Sequence, residues 1–236
     1  MDFINNIKDN FYLNFVKEDR YLYILNGLKN TLLITIFSIL IGIIIGLIIA
    51  IIKTLTEQNK NSLTLKILNK FCNLYLTIIR GTPIVLQLMI FYFIIFSSVD
   101  VPKLLVAIIA FGINSGAYVA EIVRAGINGI DPGQMEAGRS LGLTYGQTMR
   151  FIILPQAIKN ILPALGNESI SLLKETAVAG YIAIEDLTKG GDIIRSRTYD
   201  AFTPLIVVAI TYLLIVMLMS KLLNRFEGRM RESDKR

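Results

Sequence analysis

Thr31–Ile52 reads TLLITIFSILIGIIIGLIIAII, 22 residues without a charge. About 20 helical residues carry a chain across the hydrocarbon of a bilayer. There is no water there, so every backbone amide and carbonyl needs a partner within its own segment. No other feature limits the fold as tightly: the chain reads as all-α and transmembrane. Further apolar stretches give expected spans at about 31–52, 74–97, 104–124, 160–183 and 201–222. Five crossings put the two termini on opposite sides. The segment before the first span carries Asp2, Asp9, Glu18 and Asp19 and does not have the form of a cleavable signal.

The charges lie between these runs. They make up 18% of the 236 residues, while 53% are hydrophobic. Nucleic-acid binding would gather basic residues on one solvated face. Here the net +6 flanks apolar spans instead, so it reads as membrane topology. With the C-terminus inside, the inner segments 53–80, 124–159 and 221–236 hold 15 Lys/Arg. The outer segments 1–30, 98–103 and 185–200 hold 8, and Lys174 lies in a span. The positive-inside rule therefore orients the N-terminus outside and the C-terminus in the cytoplasm. Residues 1–26 become an extracytoplasmic or interfacial segment, and 224–236 a cytoplasmic tail.

The chemistry available is narrow. There is no histidine and one cysteine, Cys72. That excludes an intrachain disulfide and a thiolate cluster, and removes the commonest general base and metal ligand. No catalytic constellation and no metal site emerges. The phosphate-binding pattern G-x-x-x-x-G-K-[ST] is absent, so any ATP must be hydrolysed by another chain.

The inner segment 124–159 is too long for a simple connection and is well supplied with helix signals. Asp131-Pro132 sets an N-cap and a first-turn proline, with Gln134 three residues after the cap. This helix can run to Leu141 and stop at Gly142. Thr144 caps again, with Gln147 in capping-box register. The second helix can run to Leu154, where Pro155 interrupts. Two short helices joined at a glycine are expected.

Within this loop Glu136-Ala137-Gly138 is followed by three residues, Gly142, nine residues, and Ile152-Ile153-Leu154-Pro155. The pattern resembles the EAA motif of ABC importer permeases and departs from it only at Gly138, which stands for the third alanine. Small residues there let a partner surface come close. Arg80-Gly81-Thr82-Pro83 with Gln87 is similar to a segment of the polar amino-acid permeases. So are Tyr118-Val119-Ala120-Glu121-Ile122-Val123-Arg124-Ala125-Gly126-Ile127, and Asn167-Glu168 through Lys174-Glu175-Thr176. The resemblance covers about 25–223. It implies a five-helix type I ABC importer permease with a cytoplasmic two-helix coupling loop, its transmembrane domain spanning 27–223 in a bacterial cell membrane. The implied partners are an ATPase subunit dimer that uses ATP and Mg, a second and identical permease, and an extracytoplasmic amino-acid-binding protein. This chain would bind no cofactor. Glu136, Ala137, Gly138, Gly142, Leu154 and Pro155 would form the contact with the ATPase.

Ionisable residues inside spans mark functional sites by default. Ala164, Glu168, Ser171 and Glu175 recur at helical spacing on one face of the fourth span, flanked by Asn160, Asn167 and Lys174. Glu168 sits near mid-membrane. Two roles stand open for it: contact with the amino or guanidinium group of a substrate, or a structural ion pair with Lys174 or another span. Ser171, Lys174, Glu175 and, on the third span, Asn114 are further substrate candidates. Glu121 and Arg124, three residues apart, read as an ion pair on one helix. Arg80 and Pro83 read as orienting the helix ends. Gly42 and Gly46 are spaced for close helix packing. The substrate expected is a polar amino acid, arginine, histidine, lysine or glutamine, with the carboxylates leaning toward a cation. Two other classes fit the sequence less well. An intramembrane enzyme has no constellation to support it, and a secondary transporter or channel not driven by ATP would not need this loop.

Overall fold

A computed structural model describes residues 8–232, and among these every regular element is a helix. α1 is Tyr21–Gln58, 38 residues and roughly 57 Å at 1.5 Å per residue. It outruns the expected span 31–52 at both ends because no proline interrupts it. α2 is Leu63–Gly81, opened by the Ser62 side chain, which accepts from the Leu65 amide at 3.4 Å. Thr82 and Pro83 are then extended (φ −124°, ψ 145° and φ −64°, ψ 137°), and α3 restarts at Ile84–Ile90 and closes in a π turn, Phe91–Ile95. The expected second span, 74–97, is thus two helices. Pro83 has no amide proton and drives the residue before it out of the helical region.

α4 is Lys103–Asn128, and the loop helices are α5, Pro132–Ser140, and α6, Tyr145–Thr148. A π turn, Met149–Ile153, leads directly into α7, Leu154–Glu175, which passes into a 3₁₀ segment, Thr176–Ile182. The expected break at Pro155 does not occur. The π turn closes with the Leu154 amide donating to Met149, and Pro155 then falls in the first turn of α7, where a missing amide proton costs little, so the loop runs unbroken into the next long helix. The outer segment 185–200 is itself helical: α8, Leu187–Thr198, is capped by Asp186. α9 is Phe202–Glu232.

Among the described residues, three helices are long and apolar enough to cross a membrane: Tyr21–Gln58, Lys103–Asn128 and Phe202–Met230. The α2–α3 pair makes a fourth if it is counted as one broken span. α7 does not qualify, because Lys159, Glu168, Lys174 and Glu175 lie along it.

The chain packs as two units, each built from three stretches. The first comprises Met1–Ser38, Pro83–Phe111 and Ile170–Ser220. Its core joins Phe15 and Ile24 to Leu187 and Ile194 of α8 and Val208 of α9. Gly27 and Gly190 seat α1 against the α8 start. A Cβ at Gly27 would lie 2.6 Å from the Asp186 carbonyl oxygen, and one at Gly190 would lie 2.4 Å from that of Tyr23. Thr31 accepts from the Leu187 amide at 3.1 Å. Buried Asn14 donates to Asp200 and accepts from Thr198, both at 2.8 Å, and so ties the N-terminal segment to the α8–α9 turn.

The second unit comprises Ile39–Thr82, Gly112–Ser169 and Lys221–Arg236. In it α1 and α4 meet through small residues on both helices. A Cβ at Gly46 would lie 2.5 Å from Val119 Cγ1, and one at Gly116 would lie 2.8 Å from Ile45 Cγ2. The spacing of Gly42 and Gly46 therefore does mark close packing, and Gly112 and Gly116 answer it at the same spacing from the other helix. Cys72 is buried beside Ile49, Leu76 and Ala117 as a small apolar side chain.

Candidate functional site

The loop between α4 and α7 is ordered by its own side chains. Asp131 accepts from the Gly133 amide at 2.8 Å and opens α5, with Pro132 in the first turn. The helix ends in paired bonds across Gly142: its amide donates to Arg139 and that of Leu143 donates to Gly138. Gly142 has φ +86°, the left-handed value this ending requires. Thr144 then forms the full capping box with Gln147: the Gln147 amide donates to the Thr144 hydroxyl oxygen, and the Thr144 amide donates to Gln147 Oε1 at 2.8 Å. The two expected helices are therefore present, with their expected caps.

Gly138 differs from expectation in what it meets. A Cβ there would lie 2.5 Å from Thr148 Cγ2 and 3.0 Å from Ile152 Cδ1. The missing side chain is taken up by the loop's own second helix, not left free for a partner. Glu136 and Ala137 are exposed, and Leu141 at the elbow is 82% exposed. These are the atoms another chain can reach. Leu154 is half-buried at the head of α7 and Pro155 is exposed beside it.

Arg80, Glu121 and Arg124 form a different ion-pair set from the one expected. Arg80 pairs with Glu121 at 3.8 Å, and its guanidinium lies 6.0 Å from the Tyr118 ring centre. Arg124 pairs with Glu57 near the end of α1 at 3.5 Å. Glu121 and Arg124 do not bond each other, because the helices flanking α4 bring an opposite charge to each. The pairs therefore join α4 to α2 and to α1. All four groups are at least one-third exposed, so each pair contributes on the order of 0–1 kcal/mol. Pro83 lies in the other unit, at the start of α3.

In the second unit, Glu168 Oε1 accepts from the Ser115 hydroxyl at 2.9 Å. Glu168 is half-buried, while Ser115 and Asn114 on α4 are buried. Sequence reasoning chose Asn114 and passed over Ser115. The signal was there, because Ser115 is the next residue and a hydroxyl within a buried apolar helix needs an acceptor. Ser171, Lys174 and Glu175 continue along α7 in the first unit; Ser171 and Glu175 are half-buried and Lys174 is exposed. Among the described residues no group of His, Cys, Asp and Glu could hold a metal ion.

The sequence matches the model of a family described as "Binding-protein-dependent transport system inner membrane component" over residues 42–232. It is 40% identical over 213 residues to a putative glutamine transport system permease protein of Rickettsia typhi, covering 89% of this chain and 94% of that one. It is also 40% identical over 168 residues to an arginine transport system permease protein of Bacillus subtilis, covering 68% and 74%. Among solved structures it is similar to a chain from a crystal structure of an amino acid ABC transporter with histidines. There the TM-score is 0.81 at 44% identity, over 91% of this chain and 98% of that one.

Proposed function

Because the chain belongs to the family of inner membrane components of binding-protein-dependent transport systems, we propose that it is the permease of an importer for a polar amino acid. Membership makes it a transport subunit and not an enzyme, working with a separate ATPase and a binding protein. The substrate is assigned to the glutamine and arginine class. The support for this is the glutamine and arginine transport of its relatives together with the Glu168 carboxylate, which can receive a substrate's cationic group.

The observation that carries the mechanism is the built loop Asp131–Ile153. Two capped helices, braced against each other at Gly138, pass without a break into α7, the helix that bears Glu168. A push on exposed Glu136, Ala137 and Leu141 can therefore travel along one continuous rod. The loop faces the cytoplasm and docks on the ATPase, the N-terminus lies outside, and two identical permeases assemble. The Lys/Arg bias supports that orientation. Nucleotide drives the cycle because ATP-bound and ATP-free partners favour different arrangements of the helices.

In this scheme Ser115 holds Glu168 in place. Within the second unit Asn114 is a further substrate candidate, and Arg80, Glu121 and Arg124 brace the helix ends; within the first unit Ser171, Lys174 and Glu175 are substrate candidates in their own right, and Pro83 sets the start of α3. The test is Glu168→Gln in the reconstituted complex. Assembly with the ATPase should persist while stimulation of ATP turnover by the loaded binding protein falls by about tenfold, the equivalent of one lost charge-assisted hydrogen bond. Stimulation equal to wild type in an intact complex would reject the assignment of Glu168.

A further inference from the structure

Beside the loop helices, α1, α4, α6 and the head of α7 leave an open groove of about 460 Å³. Its apolar walls include Leu47, Ile51 and Val123, and its polar end carries Gln58, Tyr145 and Arg150. The gradient follows the sequence of α1. Leu47 and Ile51 belong to the uncharged run that ends at Ile52, and Gln58 lies past Lys53. The groove therefore crosses the edge of the apolar zone. At Gly146 a Cβ would meet nothing within 4 Å, so that bank stands open.

The one charged side chain among its lining residues is cationic. Arg150 is exposed and lies 5.6 Å from the centre of the Phe151 ring, and among the described residues no carboxylate pairs with it. The nearby Glu57 is already matched by Arg124 at 3.5 Å. An occupant must set apolar groups against Leu47, Ile51 and Val123 and an anionic group against Arg150, and must arrive from the bilayer. We propose that the groove is a binding site for an anionic glycerophospholipid, with an acyl chain along Leu47 and Ile51 and the phosphate at Arg150. Such a lipid would wedge α1 against the start of the rod formed by the π turn and α7, so that the lipid composition of the membrane reaches the loop.

The chain contains no tryptophan, which makes a site-specific reporter available. Tyr145→Trp places one at the polar end, and Met149→Trp places a second, independent one in the same groove. Each is reconstituted in phosphatidylcholine vesicles containing a small fraction of phosphatidylglycerol brominated along its chains. Brominated phosphatidylglycerol should quench the reporter at a lower mole fraction than brominated phosphatidylcholine. Arg150→Gln in the same background should raise the half-quenching fraction about fivefold, as expected for one interfacial cation, with Arg150→Lys restoring most of the effect. Equal quenching by the two lipids would overturn the proposal in favour of ordinary bilayer contact. So would indifference to Arg150→Gln. Quenching by neither lipid would also overturn it and would mean that a protein surface covers the groove.

Discussion

At Gly138 a single hydrogen atom lets the two loop helices touch. The closest atom to a Cβ there, Thr148 Cγ2 at 2.5 Å, belongs to a fully buried side chain that cannot swing aside. Gly138→Val should therefore destabilise the loop by about 1–3 kcal/mol through overpacking. The measurement is thermal unfolding of the solubilised protein together with ATP turnover of the complex, and turnover should uncouple from substrate before the fold is lost. Asp186 makes a prediction in pH. Burial pushes its carboxyl from 3.8 up to about 6, against the lowering effect of the Thr188 and Lys189 amides that it caps. The folded state then holds this proton more tightly than the unfolded chain, so its contribution to stability falls as pH rises from about 4 to about 6. Asp186→Asn keeps the cap without the charge. It should flatten that part of the stability-versus-pH curve and raise stability at neutral pH by on the order of 3 kcal/mol.

The loop elements owe their order to local chemistry, and local changes should undo it. Thr144→Ala removes one half of the capping box and should cost α6 about 1 kcal/mol. Gly142→Ala keeps the spacing but forces a side chain into φ +86°, a cost of similar size. Hydrogen exchange should show faster exchange over residues 145–149 in the first variant and over 139–143 in the second, with α1 unchanged. These helices were legible in the sequence because their signals are short-range: Asp131-Pro132, Gly142, and Thr144 with Gln147. The break within the second span and the continuity through Pro155 are harder cases, because a proline by itself states only that a bond is missing. At Pro83 the chain leaves the helix. Pro155 follows a π turn and falls in the first turn of α7, where its amide is not needed, and the packing of Thr148 and Ile152 on Gly138 braces that turn against α5.

For the molecule as a whole, the charge count assigns a side of the membrane to each segment, and two exposed residues test it. Leu141→Cys sits on the loop elbow, and Tyr199→Cys sits after α8, where Tyr199 is 95% exposed. Native Cys72 is buried and gives little background. In intact cells a membrane-impermeant thiol reagent should label the variant at 199 and leave that at 141 unlabelled until the cells are opened. The reverse pattern would invert the proposed topology.

The sequence by itself determined the class. A 22-residue uncharged run admits few structures in a bilayer, and the spacing from Glu136 to Pro155 marks a loop whose caps act within four residues. Only the tertiary structure decided which groups meet. Ser115 donates to Glu168 Oε1, Arg80 takes Glu121, Glu57 takes Arg124, and Gly112 and Gly116 answer Gly42 and Gly46. The reason is range. Caps and spans are set by neighbours along the chain, whereas ion pairs and glycine contacts depend on which helices pack together, and composition leaves that open.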